Sequence, residues 1–307
     1  MQNRYTDFNS YLRGIFGCRV QKITLDAALG CPNRDGSISH SGCVYCNEKG
    51  SGTGATALGK SIEQQAAEAA QALARRYKAK KFIAYFQSYT NTYAPASRLK
   101  DLYDRALSVE GMCGLSVGTR PDCVDEEKLD LIAGYRDRFL VWVEYGLQSA
   151  HDSTLRLINR GHDFAAFENA VLASRKRGIN VCAHVILGLP GESEKQMIET
   201  AKVLSAMDIN GVKIHLLYVV KDTVLETWYR QGEYTCLERD EYVDLVCRFL
   251  SHLRKDIVVQ RLTGDPHPGE LVAPEWALNK TDTLECIRST LEEKDLCQGM
   301  RDQFFCS

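Results

Sequence analysis

The sequence predicts an α/β protein, a partial (β/α)6 TIM-like barrel with a C-terminal cap segment. From Val20 onward, short runs of β-branched and aromatic residues alternate with longer segments of helical period, which is typical of βαβ units around a parallel sheet. Six such repeats are present, fewer than the eight that close a barrel. A chain of 307 residues, 44% of them hydrophobic, is large enough to bury the core of one such domain.

The predicted strands are near-continuous apolar runs, as expected for strands buried on both faces. They cover Val20–Ala28, Lys81–Gln87, Gly114–Thr119, Leu140–Gln148, Asn180–Leu187 and Val212–Val219. The predicted helices have apolar residues at i, i+3, i+4 spacing. They cover Ser61–Tyr77, Ala96–Leu107, Asp125–Tyr135, Phe164–Arg177, Glu192–Met207 and Arg239–Leu253. A further strand-like run, Ile257–Leu262, and an irregular segment, 263–271, follow. We therefore expect a barrel over residues 1–253 and a C-terminal strand, cap and tail over residues 254–307.

Charge and composition narrow the function classes. The formal net charge is −2, so no global basic field favours nucleic acid, and any RNA partner must meet a local patch. Two clusters are candidates for such a basic patch. They are Arg75–Lys81, with five cations in seven residues, and Arg175–Arg177. Both follow helices, where the helix dipole and solvation explain the cations better than RNA contact does, and they remain the best local patch if the substrate is RNA. The first residues contain no apolar signal segment, and no apolar stretch is long enough to span a membrane, so we expect a cytoplasmic protein.

Twelve cysteines in a chain without a signal segment are expected to be reduced thiols or metal ligands. Cys31, Cys43 and Cys46 lie just after the first predicted strand. A Cys-x-x-Cys pair closes readily on one metal centre, and a third thiolate completes a three-sulfur face with one position open. Together with His40, the same cysteines also form a candidate Cys3His zinc site, and the loop alone leaves both interpretations open.

Polar clusters follow most of the other predicted strands, where a barrel keeps its site. They are Gln87–Thr92, Gly118–Asp122, Glu144–Asp152 and His184–Glu192. Glu144 and Gln148 are four residues apart on one strand, so both point into the barrel interior. Arg120 at a strand end suits a carboxylate ligand, and an ion pair with Glu144 is the alternative.

Together, the cysteine loop, the hydroxyl-rich turn, Gly118-Thr-Arg-Pro-Asp, Glu144-Tyr-Gly-Leu-Gln-Ser and Ile186-Leu-Gly-Leu-Pro-Gly resemble the radical S-adenosylmethionine (SAM) superfamily. Four further motifs resemble its YhcC/YtqA branch, which is related to the radical SAM domain of the Elongator catalytic subunit. These are Cys31-Pro-Asn-Arg-Asp-Gly, Ile158-Asn-Arg-Gly-His-Asp, Lys213-Ile-His-Leu-Leu and Arg261-Leu-Thr-Gly-Asp. The superfamily's commonest loop has three residues between its first two cysteines, whereas this chain has eleven, as does the branch.

The resemblance implies that Cys31, Cys43 and Cys46 hold three irons of a [4Fe–4S] cluster, that SAM chelates the fourth, and that one electron then releases a 5′-deoxyadenosyl radical. It implies that Tyr45 lies by the adenine and that the turn carrying Gln87, Tyr89 and Asn91 meets the methionyl amino group. The remaining SAM contacts implied are Arg120, Glu144 and Gln148 at the carboxylate or ribose, and Gly188 and Pro190 near the adenine. An electron donor such as flavodoxin or ferredoxin is implied as a partner.

The expected substrate is a tRNA nucleoside, at the wobble uridine side chain, because the relatives that this branch resembles work largely on tRNA. The sequence contains neither a following acetyltransferase domain nor a preceding domain with its own cysteine triad. A radical rearrangement, dealkylation or C–C bond reaction is therefore expected. A radical SAM enzyme acting on a small molecule or peptide, which the net charge of −2 favours, and a zinc-stabilised binding protein are the alternatives.

Overall fold

The computed structural model describes residues 3–47 and 58–301, and within them a parallel sheet of seven strands forms the centre of the molecule. The sheet strands follow chain order: β1 (Val20–Leu25), β2 (Lys81–Phe86), β3 (Met112–Thr119), β4 (Leu140–Gln148), β5 (Asn180–Leu187), β6 (Gly211–Leu216) and β8 (Val258–Arg261). Consecutive strands joined by helices coil the sheet in one direction, which gives an open half-barrel. Two short strands, β7 (Val219–Val220) and β9 (Leu271–Ala273), form a separate antiparallel pair.

The helices begin where the sequence supplies caps. Ser61 and Ser193 each form a capping box with a glutamine three residues later, and the side chain of Asp163 accepts from the backbone of Ala166. The helices are α1 (Phe8–Phe16), α2 (Ile62–Tyr77), α3 (Ala96–Leu107), α4 (Glu126–Ala133), α5 (Asp152–Leu157), α6 (Phe164–Lys176), α7 (Glu194–Ala206), α8 (Val224–Gln231), α9 (Arg239–Ser251) and α10 (Lys280–Glu293).

The predicted fold class is confirmed, and each of the six predicted strands overlaps an observed one. The run assigned to the cap, Ile257–Leu262, contributes the seventh strand, because β8 pairs in parallel with β6. Both Val258 and Val259 are buried, and the backbone N–H of Val259 donates to Thr6 O at 2.8 Å. The sheet therefore includes one more strand than the six βα repeats supply.

Side chains alternate along β4 between two environments, as a strand requires. Val141, Val143 and Tyr145 pack in the core shared with the helices. Trp142 points to the other, concave side, where the rings of α1 pack on it edge to face. Glu144 follows on the same concave side, so it lies deeper toward the carboxyl ends of the strands. The helix α1 thus covers the amino-terminal end of the half-barrel and leaves the other end for a site.

No helix in residues 3–47 and 58–301 is both long and apolar enough to cross a membrane.

Candidate functional site

A cavity of about 530 Å³ lies on the concave side of the sheet, at the carboxyl ends of the strands. This volume falls in the range of small-molecule and cofactor sites, about 300–1,000 Å³. Its wall combines the three cysteines of the first loop, the turn after β2, the ends of β3 to β6, and the segment after β8. Every strand-end cluster of the sequence contributes at least one residue to this cavity.

The cysteine loop is held by its own backbone and by two neighbouring helices. The backbone N–H of Arg34 donates to Cys31 O at 2.9 Å, and that of Cys46 donates to Cys43 O at 3.0 Å, so each cysteine opens or closes a turn. Val44 in the middle of the Cys-x-x-Cys donates to Ile158 O at 3.1 Å, beyond α5, and accepts from the first turn of α8 at 2.9 Å. The loop is therefore fixed over the cavity.

Two buried side chains direct donors at the Cys43 sulfur. Asn33 Nδ2 and Arg160 Nη1 each lie 3.6 Å from Cys43 Sγ. Arg160 also donates twice to Gly146 O, at 3.2 and 2.6 Å, which joins this contact to the end of β4. Asn159 donates to Gly42 O at 2.6 Å and secures the other arm of the loop. The motif Ile158–His162 is thus the support of the cysteine loop.

The donor set fits an iron–sulfur cluster better than a single zinc ion. Cys31, Cys43 and Cys46 line one cavity, whereas His40 does not belong to its wall among the described residues. Tetrahedral zinc with Zn–S bonds of about 2.3 Å brings its sulfurs to about 3.8 Å from one another. In the described part of the chain, the three sulfurs are not a group whose atoms all lie within 4.8 Å of one another. The thiols as they stand therefore lie too far apart for one zinc ion, and three soft thiolates on one cavity are a ligand set that suits an iron–sulfur cluster.

The turn after β2 carries Gln87, Tyr89 and Asn91, and the structure separates their roles. Gln87 and Tyr89 line the cavity, and Ser88 and Tyr89 have positive φ angles of 132° and 56°. Asn91 is 1% exposed and donates to Ser88 O at 3.1 Å and to Gly118 O at 2.8 Å. Its amide nitrogen therefore holds the turn against β3 and does not face a ligand.

Arg120 lies on the cavity wall and is 2% exposed. Its Nε and Nη2 donate to the two carboxylate oxygens of Asp122 at 2.9 and 2.8 Å, and Nη1 donates to Arg160 O at 2.9 Å. The alternative prediction of an ion pair with Glu144 is wrong, because Asp122 lies two residues away and offers bidentate geometry. Burial opposes the charge of Asp122, but Arg120 keeps the pKa of this carboxyl below its ordinary value.

Glu144 is completely buried and accepts from four donors. Lys22 and Ser116 donate to Oε1, and Lys213 donates to Oε2, where His184 Nε2 also lies at 2.8 Å. A carboxylate offers about four acceptor positions, so this arrangement uses all of them. Glu144 lines the cavity as the anionic centre of a buried network and has no free acceptor position for a ligand.

Burial and neighbouring charges shift the pKa values of Glu144, Lys213, His184 and His215. Burial would raise the pKa of Glu144, but Lys213 and Lys22 together hold it well below its ordinary value. Burial lowers the pKa of Lys213 to about 7, with Lys22 competing for the same carboxylate. Burial, followed by the charge of Lys213, lowers the pKa of His184 to about 4, and burial lowers that of His215 as well. Both imidazoles are therefore neutral at pH 7, and Lys213 is the ammonium partner of the Glu144 carboxylate.

The remaining predicted contacts divide into two groups. Tyr45 and Gln148 line the cavity, and burial together with Cys43 raises the pKa of the Tyr45 hydroxyl well above its ordinary value. Gly188 and Pro190 are not among the described residues on the cavity wall. Gly188 instead accepts from the Tyr234 hydroxyl at 2.9 Å, on the side of the chain that packs against the segment after α8. The structure brings the first pair to the predicted site and leaves the second pair beside it.

The sequence interpretation missed Lys22, Lys213 and Arg160. The signal was available for Lys213, because it is a charged residue in a strand whose residues are almost all buried; Lys22 lies in a strand that is only half buried and gives no such signal. A charged residue at such a position needs a buried partner of opposite sign. Arg160 follows α5 and comes close to Cys43 only through the folded loop. Nothing in its sequence neighbourhood indicates that contact.

Comparison with known proteins gives three kinds of likeness: to family models, to relatives in sequence and to a solved structure. The family model described as Radical SAM superfamily matches residues 29–204, and the Radical_SAM C-terminal domain matches residues 209–293. The chain is 39% identical to the protein YtqA of Bacillus subtilis, over 97% of this chain and 92% of that protein. It is 29% identical to a tRNA uridine(34) acetyltransferase of Dehalococcoides mccartyi, over 62% of this chain and 41% of that protein. The solved structure of Elp3 from the archaeon Methanocaldococcus infernus is similar with a TM-score of 0.71 at 17% identity, over 91% of this chain and 64% of that one.

Proposed function

Because this chain belongs to the radical SAM superfamily, we propose that it cleaves SAM at a cluster held by Cys31, Cys43 and Cys46 and thereby modifies a tRNA nucleoside. The family predicted from the motifs is confirmed, and with it the two cofactors that this superfamily uses, a [4Fe–4S] cluster and SAM. The ligand assignment and the substrate are our proposals.

The observation that carries the proposal is that one cavity joins the three thiols to the turn after β2 and to the ends of β3 and β4. Together, the bound cluster and SAM supply a carbon radical that removes a hydrogen atom from the substrate. The chain must then hold SAM by its polar ends and keep water away from the reacting atoms. Gln87, Tyr89 and Gln148 offer amide and hydroxyl groups for the first task, and the aromatic ring of Tyr45 serves the second.

The cavity wall is polar and carries charges of both signs. Five cationic side chains and three carboxylates line it, if its histidines are counted as neutral; the cations are Arg34, Arg120, Arg160, Lys213 and Arg261. Arg120, Lys213 and Arg160 already face Asp122, Glu144 and Cys43. Arg34 and Arg261 are left to suit an anionic ligand, either the SAM carboxylate or the phosphate of a nucleotide. Lys213 Nζ lies on the same wall and contacts Tyr85 Oη at 3.0 Å, so it is a candidate proton donor in the reaction.

The name of one relative supports a tRNA substrate, since it is a tRNA uridine(34) acetyltransferase. The chain spans 41% of that protein, so only the shared part supports the comparison. The solved Elp3 structure, at 17% identity, supports the fold alone. The two basic clusters of the sequence give little support to a tRNA-binding surface. In one of them, Arg175 and Arg177 pair with Asp208 and Asp130. The other cluster ends at Lys81, the first residue of β2, which is the end of the sheet opposite the cavity.

The test is turnover with defined tRNA. Protein reconstituted with iron and sulfide is incubated with dithionite, SAM and total tRNA from a strain that lacks the gene, and both 5′-deoxyadenosine and nucleoside masses are measured. We expect tRNA to stimulate 5′-deoxyadenosine formation and one nucleoside near position 34 to change mass. The Cys43→Ala variant, treated identically, is the control for background chemistry. Unchanged nucleosides with active SAM cleavage would refute the tRNA substrate.

A small-molecule substrate is the second candidate, and the net charge of −2 favours it. The same assay separates the two candidates when intact tRNA is compared with its enzymatic digest to nucleosides. If the digest supports the reaction as well as intact tRNA does, the substrate is a small molecule. Activity with intact tRNA that falls as salt is raised would instead support recognition of the polynucleotide.

A further inference from the structure

We propose that Arg160 and Asn33 are donors to the Cys43 thiolate that raise the reduction potential of the cluster. The inference rests on the proposed function, because it requires that Cys43 binds iron. It assigns a role to the motif Ile158–His162, which lines the loop and which SAM binding does not explain.

The geometry places both donors on one sulfur. Asn33 Nδ2 and Arg160 Nη1 are each 3.6 Å from Cys43 Sγ, a normal length for an N–H···S hydrogen bond. Further hydrogen bonds of each donor side chain fix its direction. Asn33 Nδ2 also donates to Asn159 O at 2.7 Å, and the Arg160 guanidinium is held by Gly146 O at 3.2 and 2.6 Å. Neither side chain can turn from the sulfur without losing these bonds.

The guanidinium of Arg160 needs an anionic partner other than a carboxylate. Arg160 is 7% exposed, and in the described part of the chain no carboxylate forms an ion pair with it. The nearest acid in this region, Asp122, uses both its oxygens for Arg120. A buried cation needs an anionic partner, and the Cys43 sulfur at the tip of Nη1 supplies one when it is a metal-bound thiolate.

A donor at this position changes the electron affinity of the cluster. Reduction adds one electron to the [4Fe–4S]2+ form and gives [4Fe–4S]+, with no bond broken and no proton moved. The added negative charge is stabilised by a cation and by hydrogen bonds to the sulfurs. Cys43 is 8% exposed and Asn33 fully buried, so water screens this interaction little. The two donors therefore favour the reduced form.

The test is a redox titration of the reconstituted cluster without SAM, followed by electron paramagnetic resonance, with dithionite and viologen mediators as the electron source. Arg160→Met removes the charge and keeps an unbranched stem, Arg160→Lys restores a charge, and Asn33→Ala removes the second donor. The matched control is Arg254→Met, which removes another largely buried arginine. Arg254 donates to the backbone oxygens of Ser205, Met207 and Ile209 and is not among the described residues on the cavity wall.

We expect Arg160→Met to lower the midpoint potential, with at least a tenfold smaller ratio of reduced to oxidised cluster at the wild-type midpoint, which is about 59 mV for one electron. Arg160→Lys should recover part of this shift, Asn33→Ala should shift less in the same direction, and Arg254→Met should retain the wild-type potential. Equal potentials in all variants that hold a cluster would overturn the inference. Failure of the wild type to assemble any cluster would instead overturn the proposed function.

A second measurement does not depend on the stability of any variant. Wild-type protein labelled with 15N-arginine is reduced and its electron spin echo modulation is compared with that of unlabelled protein. A nitrogen coupling that changes with the label is expected, because Nη1 lies within hydrogen-bond distance of a cluster ligand. The absence of any arginine coupling would contradict the contact.

Discussion

Replacement of Glu144 by Gln is expected to destabilise the protein strongly, because it removes the anion shared by two buried ammonium groups. The side chains of Glu144, Lys213 and Lys22 are 0%, 6% and 16% exposed. Removal of one partner from a buried ion pair costs about 3–5 kcal/mol, since the remaining charge stays buried without compensation. At an m-value of about 3 kcal/mol per M, a loss of about 4 kcal/mol lowers the urea midpoint by roughly 1.3 M.

The assay is urea unfolding of the metal-free, reduced protein, followed by circular dichroism. A second variant, Lys213→Met in the Glu144→Gln background, should recover part of the loss because one unpaired ammonium is gone. Glu63→Gln is the matched control, since Glu63 also binds an arginine, Arg105, through both oxygens but both side chains are more than a third exposed. A midpoint for Glu144→Gln as close to the wild type as that of the control would refute the reasoning.

Two further predictions concern stability. Burial lowers the pKa of His184 to about 4. His184 therefore binds a proton below about pH 6.5 in the unfolded chain but only below about pH 4 in the folded protein. The contribution of His184 to the free energy of unfolding should fall by about 3 kcal/mol over that interval, so the curve of His184→Gln should be flatter than that of the wild type; identical curves would exclude a contribution from His184. Gly161 has a φ of 76°, and a Cβ there would lie 2.8 Å from Asn33 Oδ1 and 2.9 Å from Ile38 Cγ2. Gly161→Ala should therefore lower the urea midpoint more than Gly17→Ala, where φ is 67° and the space is open. Equal losses would show that the neighbours of Gly161 make room for the added methyl group.

The strands were predictable because each is an apolar run of the length that a buried parallel strand needs. The six predicted strands all form, and β4 has the predicted bounds Leu140–Gln148. The helices α1, α5, α8 and α10 were not predicted. Two of them, α5 and α8, have six and eight residues, too few for a helical period to stand out. The place of β8 in the sheet depends on pairing with β6, which an apolar pattern does not encode.

The site was predictable to the extent that a motif lies within a single strand end. Gln87, Tyr89 and Gln148 reach the cavity because they follow β2 or end β4. The network around Glu144 was not predictable in the same way, since its partners Lys22 and Lys213 come from strands 122 and 69 residues away in sequence. Only the order and register of the strands bring both lysines to one carboxylate. The pattern of apolar residues along a sequence does not specify which residues of two distant strands lie side by side.

The central claim is that Cys31, Cys43 and Cys46 hold the cluster that cleaves SAM, and iron and product analysis tests it most directly. Wild type, Cys43→Ala and Cys247→Ala are reconstituted with iron and sulfide without oxygen and then treated with dithionite and SAM. Cys247 is a fully buried thiol on α9, away from the cavity, so it controls for the loss of any thiol. We predict about four irons with labile sulfide and 5′-deoxyadenosine from the wild type and Cys247→Ala, and no 5′-deoxyadenosine from Cys43→Ala. Equal product from Cys43→Ala, or a wild type that retains one zinc and no sulfide, would contradict the claim.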